Sequence, residues 1–217
     1  VLYQPINKFS TVVSKIKQNN SNYFLVSGAN TNWNFVNKQQ LGFTKKAINQ
    51  TENYGAIYNS SFLTFLQKDI GFNQLPPLKD KFGEIIISKE HQKLLFQNIN
   101  GLQTAQPLLT TFEENNKKTA VLFGEGIWKW RAASFLNANS FQDFDEFMAN
   151  LVQYLASNKK RNRLEVNATN LYPANSTINI TAFYRDKNYQ FDARANLEIA
   201  ITNTDTKEIK KLPFSLV

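Results

Sequence analysis

Hydrophobic and polar positions alternate with two different periods along this chain, and the change of period divides it. In the first part, Phe9, Val12, Val13 and Ile16 recur at helical spacing, and Asn19-Asn20-Ser21-Asn22 then breaks the pattern. Tyr23-Phe24-Leu25-Val26 is a short, unbroken apolar run ending at Ser27-Gly28, the form taken by a parallel strand buried on both faces. Asn30-Thr31-Asn32 can cap a helix over about 33–41 that carries Trp33, Val36 and Leu41. The spacing of Phe62, Phe65 and Leu66 predicts a second helix around Ser60–Lys68. Asn73–Lys81, with Pro76-Pro77, predicts a loop, and Phe82–Ser88, with Ile85-Ile86-Ile87, a strand. Gln106–Phe112 and Thr119–Phe123 predict two antiparallel strands joined by a turn at Glu114-Asn115-Asn116-Lys117.

The strongest helical pattern runs from Ser140 to Ser157. Ser140 is a suitable N-cap with Asp143 three residues on, and Phe141, Phe144, Phe147, Met148, Leu151, Val152 and Leu155 form one apolar stripe for core packing. Lys159-Lys160-Arg161-Asn162-Arg163 then reads as a solvated linker, and beyond it the period is two. Leu164 and Val166, then Ile178, Ile180, Ala182 and Tyr184, then Leu197, Ile199 and Ile201, then Leu212, Phe214 and Leu216 each alternate with polar residues, with a turn at Asn203-Thr204-Asp205. The pattern predicts an α/β domain over 1–158, a mixed or parallel sheet with flanking helices, followed by an antiparallel β-module of sandwich type over 159–217. Some 55 residues are too few for a full sandwich of about 100, so four or five strands are expected. Such a partial sandwich has open edges to cover, against the α/β domain or through a homodimer.

Composition narrows the chemistry. The 217 residues hold 18 Phe and 8 Tyr, ample for a core that needs no disulfide or metal. Without cysteine, disulfides, thiolate metal sites and cysteine nucleophiles are excluded. The net charge of +8 is spread along the chain and Lys outnumbers Arg, so no nucleic-acid partner is expected. The chain begins at Val1 and its only methionine is Met148, as expected for a piece of something longer. There is no secretory leader and no apolar run near the roughly 18 residues of a spanning helix, so a membrane contact is expected only through segments outside this sequence. The Asn-x-Ser/Thr triplets, among them Asn49, Asn59, Asn167, Asn175 and Asn179, follow from the abundance of Asn and carry no glycosylation signal.

The most distinctive stretch is Gly124-Glu125-Gly126-Ile127-Trp128-Lys129-Trp130-Arg131, directly after the apolar run Ala120-Val121-Leu122-Phe123. A strand ends there in a glycine-loosened turn followed by aromatics at alternate positions. Trp128 and Trp130 share a face if the stretch is extended and diverge if it opens a helix. Both are expected to pack between the sheet and the Phe-rich helix; the alternative is a ligand surface, with Lys129 and Arg131 beside rings that stack on sugars or bases. His91, the only histidine, lies amid Lys and Gln and is expected at the surface, with no companion set for zinc. Asp143, Asp145 and Glu146 suit the first turn of a helix, where negative charge is favourable. Gly124-Glu125-Gly126 lacks the third glycine and the Lys-Ser/Thr ending of a phosphate loop.

Through Leu122–Arg131, with Leu75-Pro76-Pro77-Leu78, Pro107-Leu108-Leu109, Phe144-Asp145 to Gln153-Tyr154-Leu155, and Ala182-Phe183-Tyr184 to Asn188-Tyr189, the chain resembles a bacterial family of large membrane-anchored envelope proteins. These carry a glutamine-amidotransferase-like α/β domain followed by immunoglobulin-like β-domains. The resemblance covers about residues 75–190. It implies the periplasmic side of the cell envelope, with protein partners or the chain's own flanking domains. Active amidotransferases use a Cys on a strand-to-helix elbow with a later His and Glu. Here the Cys is absent, no Gly-x-Ser-x-Gly elbow replaces it, and Glu125 stands alone roughly where the His and Glu would be. The expectation is therefore a noncatalytic scaffold or interaction module without cofactor or metal. The rivals are a glycan- or ligand-binding module using Trp128 and Trp130, and a hydrolase with a carboxylate-based site. Glu125, Trp128, Trp130 and Arg131 are the candidate interaction or interdomain residues.

Overall fold

The computed structural model describes residues 1–157, 164–169, 171–184, 192 and 194–215. The chain divides into two compact units, Val1–Asn158 and Lys159–Val217. The first holds seven strands: β1 (Leu2–Tyr3), β2 (Tyr23–Val26), β3 (Phe43–Tyr58), β4 (Leu78–Ile87), β5 (His91–Ile99), β6 (Leu102–Glu114) and β7 (Lys117–Leu122). Its helices are α1 (Ser10–Gln18), α2 (Trp33–Lys38), α3 (Trp128–Ala138) and α4 (Gln142–Ala156). The strands form one mixed sheet in the order β1-β2-β7-β6-β5-β3-β4. β1, β2 and β7 are parallel to one another, and every other pairing is antiparallel.

β2 is apolar and buried at every position, and β7 from Ala120 to Leu122, because both faces of the sheet are covered there. Phe24 and Val26 of β2, and Ala120 and Leu122 of β7, join a core with Trp130 of α3 and Phe144, Phe147 and Leu151 of α4. Their neighbours Tyr23, Leu25 and Val121 join a second core with Val13 of α1 and Trp33 and Val36 of α2. The β6–β7 hairpin turns through Asn115 and Asn116, both at positive φ, as a two-residue loop matched to strand twist requires.

Three departures from the pattern-based expectations have physical causes. β3 and β5 carry no alternation visible in the sequence. β3 is nevertheless a strand along 16 residues, because its first part pairs with β4 and Gly55–Tyr58 pairs with β5. The stretch from Ser60 to Lys68 is not a helix. Its groups are tied elsewhere: Asn59 donates to the Lys93 carbonyl and accepts from the Ser61 N–H, and Tyr58 donates to the Gln67 carbonyl at 2.6 Å. Phe62 is still buried, while Leu66 is exposed. β4 begins at Leu78, immediately after Pro76-Pro77, not at Phe82.

α4 follows the expected stripe with two changes. The N-cap is Phe141 and not Ser140, which lies one residue earlier with its Oγ accepting from the Gln142 N–H; Asp143 closes no capping box and instead pairs with Lys68 at 2.8 Å. Val152 is exposed; Tyr154 is the buried residue of that turn, its hydroxyl donating to the Phe112 carbonyl.

In the second unit, β8 (Leu164–Asn167) pairs antiparallel with β9 (Thr181–Tyr184), and β10 (Glu198–Thr202) with β11 (Ile209–Pro213). These are two separate two-stranded sheets. Asn203 Oδ1 accepts from the Asp205 and Thr206 N–H groups, which closes the turn between β10 and β11. The basic segment 159–163, Asn188-Tyr189 and Leu216 lie outside the described residues.

Candidate functional site

The carboxyl ends of β1, β2 and β7 meet at one pole of the sheet, the place where open α/β sheets bind their ligands. The Gln4 N–H donates to the Val26 carbonyl at 2.7 Å, and the Ser27 N–H to Leu122 at 2.9 Å, so the parallel ladder continues one residue past the strands. Glu125 lies across these ends. Its Oε2 accepts from the Tyr3 hydroxyl at 3.3 Å and from Gln4 Nε2, and its Oε1 accepts from the Ala29 N–H at 3.1 Å. The Gln4 side-chain oxygen in turn accepts from the Asn30 N–H at 2.7 Å. Backbone bonds in both directions between Glu125 and Lys79 hold the glutamate against the start of β4. The two flanking glycines have distinct causes. A Cβ at Gly124 would come within 2.6 Å of Leu78 Cβ, and Gly126 turns the chain into α3 at φ +98°.

Below this pole is a charged cluster that sequence reasoning missed. Lys45 Nζ lies 2.9 Å from Asp80 Oδ2, and Ser27 Oγ donates to the same oxygen at 2.7 Å. Asp80 Oδ1 accepts from the Lys81 N–H. Both charged side chains are fully buried. The Lys45 ammonium lies 5.4 Å from the centre of the Trp33 ring and 5.3 Å from that of Tyr54. Burial lowers the Lys45 pKa, while the adjacent Asp80 charge and hydrogen bond act to raise it. Burial likewise raises the Tyr54 hydroxyl, with Asp80 adding to the shift. Chemically, a serine hydroxyl bonded to a carboxylate resembles the start of a nucleophile–base pair. Ser27 is 0% exposed, however, so no substrate atom reaches its oxygen.

The four residues singled out from the sequence separate into different roles. Trp128 and Trp130 lie on α3 and diverge, as two residues two apart on a helix must. Trp130 is fully buried; its ring stands edge-on to Phe72 at 5.8 Å, and its Nε1 donates to the Pro76 carbonyl at 2.7 Å. Trp128 is 69% exposed, which corrects the expectation that it packs in the core, and Lys129 Nζ lies 5.9 Å from its ring. Arg131 makes a two-pronged ion pair with Asp145 at 2.8 and 3.1 Å, and its guanidinium lies 4.0 Å from the centre of the Phe141 ring, clasping α3 to α4. That hydrogen bond holds the Asp145 carboxyl below its ordinary pKa and raises Arg131. Glu125 alone belongs to the strand-end pole.

His91 is half-buried at the start of β5, its Nδ1 2.9 Å from the Lys89 carbonyl and its ring tilted on Phe112. Asp143 and Glu146 both face Lys68. Among the described residues no group of three or more His, Cys, Asp or Glu is placed to hold a metal ion, and no helix is long and apolar enough to cross a membrane. No protein-family model matches the chain, and no curated protein or solved structure matches it.

Proposed function

We propose that this chain is a noncatalytic scaffold or interaction module of a bacterial cell-envelope protein, with an amidotransferase-like first unit and a partial immunoglobulin-like second unit. The observation that carries the reading is the state of Glu125. A general base must be free to reach a proton on a substrate. Here both carboxylate oxygens accept bonds from the ends of β1 and from the loop after β2, so the glutamate clamps three strand ends together. The sealed position of Ser27 supports the same conclusion. The test is turnover of glutamine and simple amides by the purified chain and its Glu125→Gln variant. No turnover by either is expected, with Glu125→Ala reducing stability by about 1–3 kcal/mol as donors lose their acceptor. Steady turnover by the wild type, abolished in Glu125→Gln, would overturn the reading.

A second reading, a glycan-contacting surface, is favoured by the exposure of Trp128 beside Lys129. It involves one ring, because Trp130 faces the core. Quenching of tryptophan emission by envelope oligosaccharides, lost in Trp128→Ala, would support it; unchanged emission at saturating sugar would rule it out.

A further inference from the structure

The pole opposite Glu125 carries a second feature. β2 and β7 begin there, α1 ends there, and the β6–β7 turn and the β4–β5 connection border it. Between them lies a cavity of about 340 Å³, the size of small-ligand sites. Three lysines from three separate segments line it: Lys17 at the end of α1, Lys89 just before β5 and Lys117 at the start of β7. Apolar surface comes from Tyr23, Leu41 and Phe112.

The lysines are placed by the fold. The Lys89 side chain crosses Gly42 so closely that a Cβ there would lie 2.4 Å from Lys89 Cδ; with φ at +92°, only glycine suits the position. Lys89 pairs with Glu114, another lining residue. Lys117 lies over the Tyr23 ring at 5.2 Å. Asn20 Nδ2 donates to the Asn115 carbonyl at 3.1 Å, tying the end of α1 to the β6–β7 turn. Among the described residues neither Lys17 nor Lys117 has an ion-pair partner. A lysine in the last turn of a helix has a local reason to be there, since it faces the negative end of the helix dipole. That reason covers Lys17; Lys89 answers Glu114, and Lys117 has the Tyr23 ring beneath it but no carboxylate partner among the described residues. Burial, and then the like charges of Lys89 and Lys17, lower the Lys117 pKa, with Glu114 opposing. Three lysines and one glutamate leave a net of two positive charges among the lining residues. A phosphate monoester carries about −1.5 to −2 at neutral pH.

We propose that this cavity binds a small phosphate monoester, its phosphate held by Lys17, Lys89 and Lys117 and its organic part lying against Tyr23, Leu41 and Phe112. A non-specific basic surface would bind in proportion to net charge. A built site instead depends on particular lysines and prefers an ester with a planar or apolar group to the bare ion.

The experiment is a calorimetric titration of the full chain with phenyl phosphate, inorganic phosphate and phenol, each with a ³¹P or proton NMR titration alongside. Lys17→Gln and Lys117→Gln are compared with Lys8→Gln, an exposed lysine outside the cavity that removes the same charge. Circular dichroism and urea midpoints establish that each variant is folded. Phenyl phosphate is expected to saturate one site, more tightly than inorganic phosphate, with no binding of phenol. Lys117→Gln and Lys17→Gln are expected to weaken it by about ten- to a hundredfold, the range for one charged hydrogen bond, and Lys8→Gln by less than about twofold. Absence of saturable binding to the folded wild type at about 10 mM, far weaker than a specific site, would overturn the proposal. So would equal losses in all three variants. A parallel arm uses vesicles containing phosphatidic acid: binding there, with none of phenyl phosphate, would assign the lysines to a lipid surface and also overturn it.

Discussion

Truncating Trp130 to alanine tests the packing of the first unit where the Gly124–Arg131 octapeptide meets the core. The side chain is 0% exposed, and a buried tryptophan removes some 150–250 Å² from water. At about 25 cal/mol per Å² the transfer effect is roughly 4–6 kcal/mol, an upper bound because the unfolded chain already buries part of that area. Measured truncations of large buried aromatics fall near 3–5 kcal/mol. The edge-on contact with Phe72 and the tilted contact with Phe147 are lost as well, and the Pro76 carbonyl loses its donor. A loss of about 4 kcal/mol is expected; with a urea dependence near 2 kcal/mol per molar, the midpoint falls by about 2 M. Trp130→Phe keeps most of the ring and loses the N–H bond, so about 1–2 kcal/mol is expected from it. Trp128→Ala, on the exposed side of the same helix, should stay within about 0.5 kcal/mol. Urea unfolding followed by far-UV circular dichroism measures all three. Equal midpoints for Trp130→Ala and the wild type would refute the packing argument, as would a larger loss from Trp128→Ala than from Trp130→Ala.

The buried pair gives a second prediction: Asp80→Asn leaves the Lys45 ammonium without its counter-charge and should lower stability by about 3–5 kcal/mol. Adding Lys45→Met to it should recover at least half of that loss, and an additive double mutant would show that the two groups are not coupled. Alkaline pH gives a third. Burial pushes the Tyr23 hydroxyl up to about 12 from an ordinary 10, so the folded chain keeps a proton that the unfolded chain releases. This contribution is intact below about pH 10 and is lost as pH rises toward 12, to a total of about 1–3 kcal/mol. Tyr23→Phe should flatten urea stability between about pH 9 and pH 11.5, and an unchanged slope would contradict the assignment.

Elements covered on both sides are legible in the order of residues alone. β2 and the Ala120–Leu122 part of β7 read as strands because each side chain there enters one of two cores, and α4 because its stripe needs only one partner face. The Glu114–Lys117 hairpin turn is equally local, since Asn tolerates positive φ. The octapeptide stands out for a similar reason: a turn crowded against Leu78 selects glycine at Gly124, and the helix after it selects an aromatic for the core. Nothing local reveals β3. Phe43, Lys45 and Ala47 alternate inward, but a lysine in that pattern reads as solvent until Asp80, 35 residues on, supplies its charge partner. The same holds for Ser27, whose burial depends on that carboxylate, and for Glu125, which could be base or clamp until Tyr3, Gln4 and Ala29 converge on it. The two tryptophans part only once α3 is seated with Trp130 on the Pro76 carbonyl. Backbone propensity and one-face burial act within a few residues and are written in the chain's order. Charge neutralisation and hydrogen-bond partnership act between distant segments, and only the folded arrangement decides them.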